Sequence, residues 1–144
     1  MSYLFMDMEC SNCFGGKGKV CEFGYVIVDD DMNVVRKDDI PMAPGKRNDR
    51  SSRFDKDIFK RDPEFQWAYD FDFYYEQPLF PFFHDRIKRM IKGAKYVLGY
   101  AVMNDVGYLV NEFERYKLEP YTYMVCDLQY IMNKVMNAPS NRCV

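Results

Sequence analysis

The sequence predicts an α/β fold: a mixed five-stranded sheet, three strands antiparallel and two parallel, flanked by helices. Three observations predict it. Two apolar runs near the N-terminus are joined by a glycine-rich turn, which is hairpin chemistry. Further on, short apolar runs alternate with segments of helical periodicity, the order of parallel βαβ units. The 144 residues, 48% hydrophobic and 17% aromatic, suffice for one domain with its own core and exclude a disordered chain.

Residues 3–10 and 20–28 read as the first two strands, joined through Phe14-Gly15-Gly16-Lys17-Gly18-Lys19. That turn is no phosphate-binding loop, because Cys13 stands at the first glycine position and Val20 at the hydroxyl position. Asp29 to Asn33 forms a second turn and leads into a third strand over Val34–Met42. Residues 43–78 read as an irregular insertion, first basic (Arg47, Arg50, Arg53, Lys56, Lys60), then aromatic (Phe65, Trp67, Tyr69, Phe71, Phe73). Phe82, Phe83, Ile87, Met90 and Ile91 recur at helical spacing over Leu79–Lys92. Tyr96–Val102 reads as the fourth strand, with Asn104 capping a helix whose apolar stripe is Val106, Leu109, Val110 and Phe113. Tyr121–Cys126 reads as the fifth strand, and Asp127 starts a last helix carrying Leu128, Ile131, Met132 and Val135. No repeat or second domain is visible.

A net charge of −2 gives no general basic field, so any phosphate partner needs a metal or a local patch. No apolar run approaches the length of a membrane span, and no signal-peptide pattern opens the chain. Five cysteines without such a signal predict reduced thiols and a cytoplasmic protein. Cys10-Ser11-Asn12-Cys13 has redox and zinc spacing, but it lacks the second ligand pair or helix N-terminus such sites need.

Asp7 and Glu9 end the first apolar run. Residues two apart on a strand face the same way, roughly 6–7 Å apart. Like charges that close raise each other's pKa. A cation would relieve the pair, and hard divalent ions favour such oxygen ligands. Asp105 follows the fourth strand at a helix start, where aspartate is ordinarily a cap favoured by the helix dipole. The predicted sheet can bring these two strand ends to one edge.

The motif Phe5-Met6-Asp7-Met8-Glu9-Cys10, the strand Glu22-Phe23-Gly24-Tyr25 and the segment Leu98-Gly99-Tyr100-Ala101-Val102-Met103-Asn104-Asp105 together resemble the DnaQ-like, or DEDD, 3′–5′ exonucleases. Their look is nearest the PolC-like enzymes of Gram-positive bacteria, and Cys126-Asp127-Leu128-Gln129 resembles the family's strand-end aspartate. The resemblance implies a ribonuclease H-like fold. It also implies two-metal hydrolysis at the 3′ end of single-stranded DNA or RNA, with Mg²⁺ or Mn²⁺ as cofactor. By the same resemblance Asp7, Glu9 and Asp105 are both the catalytic residues and the metal ligands. Asp7 would bridge the ions, Glu9 would hold the ion on the nucleophile side, and Asp105 would support the second.

The family's third motif, a His or Tyr four or five residues from a fourth Asp on a late helix, is not assigned. His84 stands in an early helix. Tyr3/Asp7, Tyr25/Asp29 and Tyr123/Asp127 match the tyrosine spacing only along predicted strands. The sequence therefore predicts one incomplete domain over 1–144, ending before the last catalytic helix, with impaired hydrolysis and an uncovered sheet face that could drive homo-oligomerisation. Two alternatives are a non-catalytic remnant that binds nucleic acid or protein through its aromatic and basic residues, and an unrelated domain with ordinary surface acids.

Overall fold

The structure, a computed structural model, describes residues 1–12, 17–54 and 64–136. Cys13, the start of the glycine-rich turn, Lys56, Lys60 and the 137–144 tail lie outside the described residues. Five strands form one sheet: β1 (Ser2–Ser11), β2 (Lys19–Asp29), β3 (Val34–Pro41), β4 (Tyr96–Gly99) and β5 (Val125–Asp127). Their order is β3-β2-β1-β4-β5, antiparallel between β3, β2 and β1 and parallel from β1 through β4 to β5. The described helices are α1 (Phe71–Glu76), α2 (Phe80–Gly93), α3 (Val102–Tyr116) and α4 (Leu128–Met136). None of them is long and apolar enough to cross a membrane.

Alternation along β1 divides the sheet into two unlike faces. Leu4, Met6 and Met8 are buried together with Phe23 of β2 and Val97 of β4. Onto this face α2 packs Phe80, Ile87 and Ile91, while α3 packs Val102, Leu109 and Phe113, each at helical spacing. His84 belongs to the same stripe, with its ring 5.4 Å from that of Phe113 and 5.6 Å from that of Tyr121. Burial pushes its pKa down, and its ring packs among the aromatic rings of Phe80, Phe113 and Tyr121 and does not line the cleft that holds Asp7 and Asp105.

The opposite face, carrying Phe5, Asp7 and Glu9, is only partly covered. A one-residue register slip between Glu9 and Cys10 leaves Cys21 as the extra residue of a β-bulge. Around Cys21 a second small core forms from Phe54 and Tyr74, with Trp67, Phe71 and Tyr75 against it. The 43–78 stretch is thus less irregular than its composition suggests. Its aromatic half pairs ring on ring (Phe54 stacks on Phe71 at 4.4 Å) and contains α1. The basic half is anchored too: Arg47 pairs with Asp72 and lies 5.0 Å above the Tyr75 ring. The buried Lys19 ammonium donates to Ser51 Oγ at 2.7 Å and Ser52 Oγ at 2.8 Å, which straps this stretch to β2. Met124, Tyr130 and Val135 of the β5–α4 region remain exposed.

Several boundaries differ from expectation. β4 ends at Gly99 and α3 begins at Val102, so Asn104 lies inside the helix and does not cap it. Ala101 takes the cap position in a left-handed conformation, φ 52° and ψ 34°, with no side-chain cap. β5 covers only Val125–Asp127, because Tyr121 turns into the core and Tyr123 precedes the strand. Asp127 is the last residue of β5, ahead of α4.

Candidate active site

Gly99 lets the elements that carry the acids converge. A Cβ there would stand 2.7 Å from the Met6 carbonyl oxygen and 2.9 Å from Val102 Cγ2, so only glycine lets the end of β4 lie this close to β1. The chain then turns through Ala101 into α3. Asp127 holds that turn, its Oδ1 accepting from the Ala101 N–H at 3.1 Å and from the Gln129 N–H at 2.9 Å. One carboxylate thus ties the start of α3 to the start of α4.

Asp105 sits in the first turn of α3, 4% exposed, and its Oδ1 accepts from the Met8 N–H at 3.1 Å. β1 pairs with β4 only as far as Phe5, so Asp105 supplies an acceptor to a β1 amide beyond the reach of that ladder. Its carboxyl is pushed up to about 7, first by burial, then by the neighbouring charge of Asp7, with a smaller push from Asp127. Asp7 is exposed at the rim, and partial desolvation raises its pKa as well. Both acids line one open cleft of about 550 Å³, walled by Phe5, Gly24, Tyr100, Asn104, Tyr108 and Leu128 among others.

Glu9 shares the face of Asp7 but does not line this cleft. It stands across the β1–β2 ladder from Glu22, a like-charge pair that is unfavourable when both are ionised. Glu22 is 5% exposed and its pKa is raised to about 8, mainly by burial and then by Asp39. Glu22 therefore keeps its proton above the usual carboxylate range, beside Asp39 and Tyr74. Among the described residues no three His, Cys, Asp or Glu side chains converge tightly enough to cage an ion. Of the three acids singled out in the sequence, the fold brings Asp7 and Asp105 together and sets Glu9 beside Glu22. Sequence reasoning marked Asp127 as a strand-end aspartate without foreseeing that it ties the starts of two helices, and it left Glu22 and Asp39 without roles.

The pair fits a small hard cation. Mg²⁺ keeps several waters and is commonly held by one or two carboxylates plus substrate phosphates, without a closed protein cage. Asp7 and Asp105, the latter raised by burial and then by the charge of Asp7, face an open cleft with room for such an ion and its waters.

No family model matches the sequence, and no curated protein matches it. Solved structures do. Escherichia coli exonuclease I in complex with a dA16 oligonucleotide is 16% identical at a TM-score of 0.73, over 94% of this chain and 30% of that one. The zinc-bound form of the E. coli exonuclease I–single-stranded DNA complex is 17% identical at 0.75, again over 94% and 30%. A full-length 3′-exonuclease is 12% identical at 0.72, over 96% of this chain and 64% of that one. The shared architecture is the ribonuclease H-like fold expected from the sequence. The chain spans about a third of exonuclease I and under two thirds of the 3′-exonuclease.

Proposed function

We propose that this chain is a DnaQ-like, metal-dependent 3′–5′ exonuclease domain that hydrolyses phosphodiester bonds at the 3′ end of single-stranded DNA or RNA. The observation that carries the reading is the meeting of Asp105, buried at the start of α3, with Asp7 on β1 across an open cleft. The neighbours' fold supports it, since they are exonucleases and two of those named hold single-stranded DNA. The motifs around Asp7 and Asp105, nearest in look to PolC-like enzymes, also support the reading.

Asp7 and Asp105 are the residues that would hold a divalent ion, Mg²⁺ or Mn²⁺, with Glu9 next along the strand. The chemistry such ions supply when bound is water activation and stabilisation of charge on the leaving oxygen. The chain's own part is positioning. The Met8 N–H fixes one oxygen of Asp105, which lines the cleft. Asp127 holds the Ala101 turn and so the start of the helix that bears Asp105. The apolar walls, Phe5 and Leu128, limit water around the acids.

Incubation of the purified protein with 5′-labelled single-stranded DNA and Mn²⁺ tests the proposal. The expected result is stepwise shortening from the 3′ end that Asp7→Ala abolishes. Shortening that survives Asp7→Ala would rule out this site.

A further inference from the structure

We propose that Tyr69 and Phe73 form a stacking platform for the bases of the single strand whose end lies in the cleft, an inference that rests on the nuclease reading above. Most of the aromatic stretch is committed to its own small core, but these two rings are not. They stack on each other at 4.5 Å and 27°, and each residue is 37% exposed. Shallow depressions of about 380 and 360 Å³ border Tyr69, one lined with Gln66 and Phe71 and the other with Ala68 and Phe73. Each is a ring-walled recess open to solvent, the shape a flat base can enter.

The platform is continuous with the candidate active site. The Tyr69 ring meets Tyr74 edge-on at 5.7 Å. Tyr74 is fully buried against Cys21, next to Glu22 on β2, and Glu22 stands opposite Glu9, two residues from Asp7. A strand with its end at Asp7 and Asp105 can therefore reach the rings along one side of the sheet.

The surrounding charges select the part of the strand that is held. Asp39 lies within electrostatic reach of the Tyr69 phenol, Asp70 sits in both recess walls, and nearby Asp38 is paired with Arg86. Arg47 is taken up by Asp72 and Tyr75. Such a surface repels phosphates, so the rings take base faces while the backbone runs on the solvent side. Aromatic stacking tolerates any base, because every base has a π-face. Binding through phosphates weakens steeply with salt, whereas binding through the rings does not.

The test measures anisotropy of a labelled oligodeoxythymidylate on the full chain in EDTA, alongside Mn²⁺-dependent cleavage of a dinucleotide. Tyr69→Leu and Phe73→Leu keep apolar bulk and remove the π-face. Each should weaken oligonucleotide binding roughly thirtyfold, the middle of the stacking range. Tyr69→Phe should bind like the parent, dinucleotide cleavage should be unchanged in all three, and affinity should vary little with salt. Unchanged binding in both leucine variants would overturn the platform, as would equal losses in Tyr69→Phe and Tyr69→Leu, or a steep salt dependence. Ring-dependent binding without any cleavage would keep the platform and remove the nuclease reading. Asp7-dependent cleavage with ring-independent binding would do the reverse.

Discussion

Asp105 and Glu112 lie two turns apart on the same face of α3, and both are nearly closed to solvent, at 4% and 2% exposure. Each reaches a strand amide: Asp105 accepts from Met8 of β1 at 3.1 Å, and Glu112 accepts from Val20 of β2 at 3.0 Å. Burial raises the pKa of both. Their charged neighbours differ. Glu112 is paired with Arg115 and feels Lys19, so its charge is compensated within the protein. Asp105 faces Asp7 and Asp127, so ionisation there adds a charge to two others of the same sign. The same side-chain chemistry on one helix thus makes a structural tie at one end. At the other end it makes an acidic pair without a compensating partner of opposite charge among its largest influences, the pair proposed above to hold an ion.

The sharpest way to break this comparison is to neutralise each carboxylate in turn. Asp105→Asn should fold, because an amide oxygen can still accept from the Met8 N–H. Its Mn²⁺-dependent cleavage should fall by more than the roughly 10–100-fold that loss of a supporting group costs a metal site. Cleavage at parental rates would remove Asp105 from the chemistry. Glu112→Ala should act the other way, on stability. It leaves the Val20 N–H and a mostly buried Arg115 without their acceptor, a loss on the order of 2–4 kcal/mol in a urea titration. An unchanged midpoint would show that Glu112 ties nothing.

A pH series sharpens the contrast next. Burial and like charges push Asp105 up to about 7 in the folded protein against an ordinary 3.8, and Glu22 up to about 8 against 4.5. A carboxyl raised by folding holds its proton longer in the native state, so its contribution to stability is lost as pH rises between the two values. The metal-free protein should therefore melt lower at pH 8 than at pH 5. Asp105→Asn should flatten the part of that slope between about pH 4 and pH 7. Mn²⁺ at pH 8 should raise the melting temperature of the parent but not of Asp105→Asn. A parent that melts higher at pH 8 than at pH 5 without metal would contradict the proposed repulsion.

The smallest expected effect lies at the turn into α3. Ala101 holds a left-handed conformation, which costs an ordinary residue about 1 kcal/mol that glycine avoids. Ala101→Gly should thus raise stability by a few tenths of a kcal/mol up to about 1, after the entropy of the freer unfolded chain is set against it. A loss instead would mean that the alanine methyl contributes packing that outweighs the strain.

The hairpin of β1 and β2, the third strand and α2 were legible because their patterns are local. Alternation and helical spacing report burial directly, and turn residues mark the ends. Boundaries near the site were less legible. The expectation that Asn104 caps α3 followed from cap chemistry, but the close packing of Gly99 on Met6 starts the helix earlier, at Val102. The aromatic insertion misled for a related reason. Composition showed many rings, yet whether a ring packs inward or faces solvent depends on partners far off in sequence, as when Phe54 meets Phe71.

The sequence alone determined the order of strands and helices outside the 43–78 stretch, the shared face of Asp7 and Glu9, and the candidacy of Asp105 at a strand-to-helix junction. These follow from periods of two and of 3.6 and from neighbours along the chain. Only the tertiary structure decided which acids meet. Strand β4 lies beside β1, so Asp105 joins Asp7; β2 lies on the other side, so Glu9 faces Glu22. Charge interactions weaken as one over distance and are screened over roughly 10 Å in salt, and sequence separation carries no information about distances of that kind.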